Sequence, residues 1–160
     1  MRIRIVVADQ AEACFYDIAG AEDALQPVGR LTDPEAHLHN RDLTSDRPGR
    51  VFDHSPMAAG RRGATAHHGV GGERSPRKHE AELFARHIAA DLEKAQATQQ
   101  FDRLVIMAAP AFLGLLRAAL PHSVRSRVAA EVPKDLAHQP PTAVREHLPM
   151  QIFHVALPGD

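Results

Sequence analysis

FDRLVIMAAPAFLGLLRAAL, Phe101–Leu120, decides the fold of this chain. Leu104–Ala109 is apolar without a break, the pattern of a strand buried on both faces in the middle of a parallel sheet. Pro110 follows at once. Its fixed φ suits the first turn of a helix, so a helix is predicted from there to Leu120. A buried strand running straight into a helix belongs to a layered α/β domain.

Upstream, Ser75 can cap a helix that Pro76 opens. Ala81, Phe84, Ala85, Ile88, Leu92 and Ala95 then fall at helical spacing and mark one buried face. Glu82 and Arg86 sit a turn apart on the other face. Phe84, Ile88 and Leu92 are expected to pack against Val105 and Met107. At the N-terminus Ile3–Ala8 reads as a buried strand, Asp9–Glu12 as a turn and Ala13–Ile18 as the returning strand of a hairpin. Gln26–Leu31 is a third strand.

Downstream, Ser123–Val128 is a short helical piece. Ala129–Val132, with the residues around Leu136, gives a further strand, and Thr142–Leu148 a last short helix. Met150–Leu157 is either an edge strand or a loose tail. The expectation is an α/β layered single domain, residues 1–148, with a mixed central sheet flanked by helices and a tail or edge strand at 149–160.

The chain has 160 residues, enough for one domain. Aromatics make up 4% with no Trp, so the core rests on Ala, Val, Leu, Ile and six Phe. Net charge is −1, which gives no overall pull toward nucleic acid or membrane. The distribution is uneven. Residues 41–78 hold eight Lys/Arg against four Asp/Glu, a basic stretch able to face phosphates. Arg outnumbers Lys sixteen to three across the chain, a coding bias that explains the choice of Arg but not its clustering. Cys14 is alone, so no intramolecular disulfide forms. The N-terminus lacks a signal-peptide pattern, and no run reaches the ~18 apolar residues of a membrane span. The expectation is a cytoplasmic protein with no membrane contact.

HNRDLTSDRPGRVFD, His39–Asp53, has no helical period. Arg41, Arg47 and Arg50 alternate with Asp42, Asp46 and Asp53, so much of the charge can be met internally. Pro48 and Gly49 predict a tight turn over Arg47–Arg50. The stretch fits a binding loop and fits equally a salt-bridged, solvated one.

N-R-D-L-x-S-D-R-P-G-R-x-F-D in this stretch resembles the signature of bacterial host attachment proteins, which are similar to the middle domain of archaeo-eukaryotic class-1 release factors. VVADQAEACFYDI (Val6–Ile18), HEAELFARHIAADLEKA (His79–Ala95), Phe101–Leu120, EVPKDLAH (Glu131–His138) and TAVREHL (Thr142–Leu148) carry the same resemblance. It implies a release-factor middle-domain-like fold, which agrees with the order of elements. It also implies a ribosome or RNA partner. Binding would then fall to Arg41, Asp42, Asp46, Arg47, Arg50, Arg61, Arg62, Arg74, Arg77 and Lys78.

The release factors carry a Gly-Gly-Gln loop before their long helix, thought to help water attack the peptidyl-tRNA ester. Here Gly71 and Gly72 match, but Glu73 stands where the glutamine would be. A carboxylate donates no hydrogen bond and is repelled by RNA phosphates. Gly71, Gly72 and Glu73 are therefore weak catalytic candidates, and a flexible hinge before the helix is the simpler reading. Eleven histidines raise a metal question. His37 and His39 alternate and His67 and His68 are adjacent, but no spacing completes a ligand set. His79-Glu80 is followed by Leu83 where a zincin helix has its second His. No metal or cofactor is expected.

Three functions compete: a ribosome- or RNA-associated accessory factor, a peptidyl-tRNA or related ester hydrolase, and a non-catalytic protein–protein interaction factor affecting host attachment. Oligomeric state is not legible.

Overall fold

The structure is a computed structural model and describes residues 1–33 and 76–154. The chain divides into two units, Met1–Asp33 with Ala81–Asp160, and Pro34–Glu80. The first holds the sheet.

Five strands are hydrogen-bonded in the order β3-β2-β1-β4-β5. They are β1 (Ile3–Ala8), β2 (Glu12–Ile18), β3 (Gln26–Thr32), β4 (Arg103–Ala108) and β5 (Val128–Val132). β1 runs antiparallel to β2 and β2 to β3, whereas β4 lies parallel to both β1 and β5. The sheet is mixed, with its parallel half on the side where the sequence passes through helices. Those helices are α1 (Pro76–Ala97), α2 (Pro110–Ala119) and α3 (His122–Arg125), with α4 (Pro141–Glu146) after β5 and a 3₁₀ turn at Met150–Phe153.

Prolines set several of the boundaries. Pro76, Pro110 and Pro141 each open a helix, where a missing N–H costs nothing. Pro121 leaves Leu120 extended at the end of α2.

Both faces of the sheet are covered. Val6, Ala8, Phe15, Leu104, Ile106 and Ala108 face one core with the buried sides of α1 and α2. The Phe84 and Phe112 ring centroids lie 6.2 Å apart in this layer. Ile3, Ile5, Val7, Tyr16, Val105 and Met107 face the other, with Leu136, Val144, Leu148 and Ile152 from the C-terminal segment. β1 is buried at every residue because it has core on both sides and strands on both edges.

The buried stripe of α1 is the one its spacing predicts, with Ala89 added. Its partners differ from expectation: Phe84, Ile88 and Leu92 share a core with Leu104 and Ile106, not with Val105 and Met107. A strand that is apolar on both faces carries no polar marker of register, and a shift of one residue exchanges the faces. Leu136 is not in a strand either. Pro133 follows the last residue of β5, and Leu136 is buried from the irregular segment beyond it. Residues 150–153 form a 3₁₀ turn, and the rest of the expected tail or edge strand, from 155 onward, lies outside the described residues. Ile152 is buried there, and Arg103 Nη1 donates to the carbonyls of Ile152 and His154, both at 2.9 Å.

One charge enters the helix-covered core. Arg4, 7% exposed, follows the alternation of β1 inward. It pairs with Asp17, its neighbour across the hairpin, through bonds of 2.6 and 3.0 Å, and its guanidinium lies 5.5 Å from the Phe101 ring centroid. A buried guanidinium is tolerated when its donors are met in this way.

Candidate functional site

At the carboxyl end of β1 the chain turns through Asp9–Glu12 into β2. In open α/β sheets this edge is where ligand sites form. Asp9 makes the turn: its Oδ1 accepts the N–H groups of Ala11 and Glu12, both at 2.8 Å, and its own N–H donates to the Glu12 carbonyl at 2.9 Å. This is the backbone-mimicking turn that Asp favours. Glu12 opens β2 with its side chain drawn in, and the residue is 4% exposed. Arg30, across the β2–β3 ladder, donates to Glu12 Oε2.

His138 reaches the same place from the irregular segment between β5 and α4. Its Nδ1 lies 2.9 Å from Glu12 Oε1 and its Nε2 3.2 Å from Asp9 Oδ2. The imidazole is 72% exposed and stands between two carboxylates on the surface of the sheet edge. Cys14 lies two residues along β2. Burial pushes its thiol above the ordinary value, and the negative charge of Glu12 adds to this. Burial also raises the Tyr16 phenol. The Arg30 guanidinium is raised by its hydrogen bond to Glu12 and by that carboxylate's charge.

These assignments limit the chemistry. Burial and the Glu12 carboxylate both disfavour the thiolate, the nucleophilic form of Cys14. The ring nitrogens of His138 each face a different carboxylate, so no three ligating atoms converge, and among the described residues no group of His, Cys, Asp and Glu is arranged to hold a metal ion. What remains is a charge-paired cluster of two acids and two bases drawn from three separate places in the chain.

Two shallow concavities lie elsewhere. One of about 240 Å³ is lined by Arg4 and Phe15 of the sheet, Lys94 of α1 and Thr98 just past its end. The other, about 310 Å³, is lined by Arg2, Asp17, Asp23 and Gln26. In both, the guanidinium is already engaged: Arg4 with Asp17, and Arg2 with the Gln100 carbonyl at 2.9 Å.

Of the residues singled out in the sequence, Arg77 and Lys78 are described. Both are exposed at the start of α1, whose first turn contains no acidic residue. Arg41, Asp42, Asp46, Arg47, Arg50, Arg61, Arg62, Gly71, Gly72, Glu73 and Arg74 lie outside the described residues, as does the Arg47–Arg50 turn.

A family model described as "Protein required for attachment to host cells" matches residues 4–148. The chain belongs to this family. No curated protein matches it. Among solved structures, this host attachment protein is similar to "Crystal structure of archaeal translation termination factor, aRF1", at 9% identity and a TM-score of 0.45, over 95% of this chain and 36% of that one. It is also similar to one titled "Archaeal protein", at 9% identity and a TM-score of 0.41, over 83% of this chain and 30% of that one. The host attachment chain thus spans about a third of the length of these structures. Among the described residues no helix is long and apolar enough to cross a membrane.

The sequence reading missed the Asp9–Glu12–His138–Arg30 cluster. Asp9–Glu12 was legible as a turn, and both it and His138 lie inside runs that carried the family resemblance. That coincidence was the available signal. Convergence across more than a hundred residues was not.

Proposed function

We propose that this host attachment protein is a ribosome- or RNA-associated accessory factor that acts without catalysis of its own, with the basic stretch 41–78 as its contact surface. The observation that carries this reading is the start of α1. Arg77 and Lys78 stand exposed in a first turn without an acidic residue. The dipole of a helix makes its N-terminus positive, and exposed cations beside it add to a field that favours phosphate. The sequence supports the same reading, with eight Lys/Arg over residues 41–78.

The test is sedimentation with ribosomes at low and high salt. Each phosphate contact releases condensed counterions, so association should fall steeply with salt. Arg77→Glu/Lys78→Glu and Arg61→Glu/Arg62→Glu should each weaken it, while Glu73→Gln should strengthen it by removing a negative charge. Association that is absent at low salt, or indifferent to salt and to the reversals, overturns the proposal and favours a protein–protein role in attachment. Hydrolysis of peptidyl-tRNA by the wild type, lost in Gly72→Pro, would favour the ester hydrolase reading.

A further inference from the structure

The segment between β5 and α4, residues 133–140, crosses the carboxyl end of the sheet as a strap. Its own Leu136 and Ala137 are buried. Its own hydrogen bonds are few: Lys134 N–H donates to the Val132 carbonyl at 2.8 Å, Gln139 N–H to the Leu136 carbonyl at 3.0 Å, and Ala137 N–H to Asp135 Oδ1 at 3.3 Å. His138 is the side chain that ties the strap to the β1–β2 turn.

The four carboxylate oxygens around His138 are divided without overlap. Asp9 Oδ1 is taken by the N–H groups of Ala11 and Glu12, and Glu12 Oε2 by Arg30. The oxygen left on each acid faces one ring nitrogen, Glu12 Oε1 toward Nδ1 and Asp9 Oδ2 toward Nε2. Both contacts are ion pairs, and they attract as such only while the ring carries its second proton. We infer that His138 is a proton-dependent clasp, which holds the 133–140 strap on the β1–β2 turn when the ring is charged and releases its Asp9 side when the ring is neutral.

Asp9 is the side that yields, because its contact is the longer and Glu12 is the more deeply buried. The charges agree. With the ring protonated, Asp9 and Glu12 are balanced by Arg30 and His138; without that proton the cluster is left one negative charge in excess. The other charged groups of these elements are Asp33 on the stretch beside the turn, whose N–H donates to the Ala11 carbonyl at 2.8 Å, and Lys134 and Asp135 on the strap. Cys14 and Tyr16, on the same strand as Glu12, stay neutral throughout the range in which an imidazole loses its proton, since both are raised. The clasp thus answers to the charge of one ring, whose ion pairs hold only while it is protonated. This inference does not rest on the RNA-binding proposal.

The experiment follows the Gln139 amide on the full chain by hydrogen exchange, as a protection factor corrected for the intrinsic pH dependence. The His138 ring is read in parallel by ¹⁵N shifts from about pH 5 to about pH 9. Protection should drop by about threefold, the scale of an exposed ion pair, as the ring shifts report loss of its second proton. His138→Ala should be unprotected and flat with pH. Asp9→Asn keeps the oxygen that makes the turn but presents an N–H₂ group to Nε2, which suits a neutral ring. Its pH response should be reversed, with the strap better held at high pH. A wild-type protection factor that ignores the ring's titration, or a response that persists in His138→Ala or keeps its sign in Asp9→Asn, overturns the clasp.

Discussion

Ile88→Ala tests the layer assignment directly. Ile88 is 0% exposed, in the core built from α1, α2 and one face of the sheet. The substitution removes three carbons, worth ~2.5 kcal/mol at ~0.8 kcal/mol for each buried methylene. A residual cavity of ~40 Å³ adds ~1 kcal/mol at ~24 cal/mol per Å³. The expected loss is ~3.5 kcal/mol. With a urea m-value of ~2 kcal/mol/M, the unfolding midpoint should move down by ~1.7 M. The loss alone shows only burial. The face is tested by double-mutant cycles with Ile106→Ala and with Met107→Ala, whose side chains occupy opposite cores. Residues in contact couple by ~0.5–3 kcal/mol, whereas separated ones add within ~0.5 kcal/mol. Ile88 should couple to Ile106 and be additive with Met107. Coupling to Met107 and additivity with Ile106 would refute the register described above and restore the packing expected from sequence.

Gln99 ends α1 with φ of 55°, beside a bond from the Gln100 N–H to the Ala95 carbonyl at 2.9 Å, the left-handed helix stop that glycine suits best. Gln99→Gly should stabilise by ~0.5–1 kcal/mol in urea melts, since the left-handed cost exceeds the entropic one. Glu12→Gln removes a charge that raises the Cys14 thiol, so alkylation of Cys14 at fixed pH should quicken by several-fold. Because the folded thiol is raised above its ordinary 9.0, it contributes stability that is full below that value and lost as pH rises past it. Melts above about pH 9 should therefore fall more steeply for wild type than for Cys14→Ser, with Tyr16 leaving a residual slope in both.

The order of elements was legible because each rests on a local rule: a proline at a helix start, an unbroken apolar run at Leu104–Ala109, helical spacing in α1. Facing was not, because Leu104–Ala108 is apolar on both sides and either face of β4 satisfies the α1 stripe equally. Ile152 and Phe153 suited a strand, but the burial of Ile152 and the reach of Arg103, some fifty residues earlier, hold them in a turn. At the edge of the sheet, Asp9 advertised its turn because that bond is local. Its second oxygen is used by His138, and nothing near either residue in the sequence announces the meeting.

The place of β1 bears on how the chain comes to be folded. Its partner on one side, β2, follows after a turn of three residues, while β4 on the other is a hundred residues on, Ile3 pairing with Arg103. The hairpin can form within microseconds, as local hairpins do, whereas pairing of distant strands is slow. During synthesis β1 is therefore made with one side zipped and the other bare. That bare side belongs to a strand with almost no polar residue to discourage a stranger, which is the hazard of an unprotected sheet edge. Arg4 is the one charge along it, placed where such an edge needs a gatekeeper until β4 emerges.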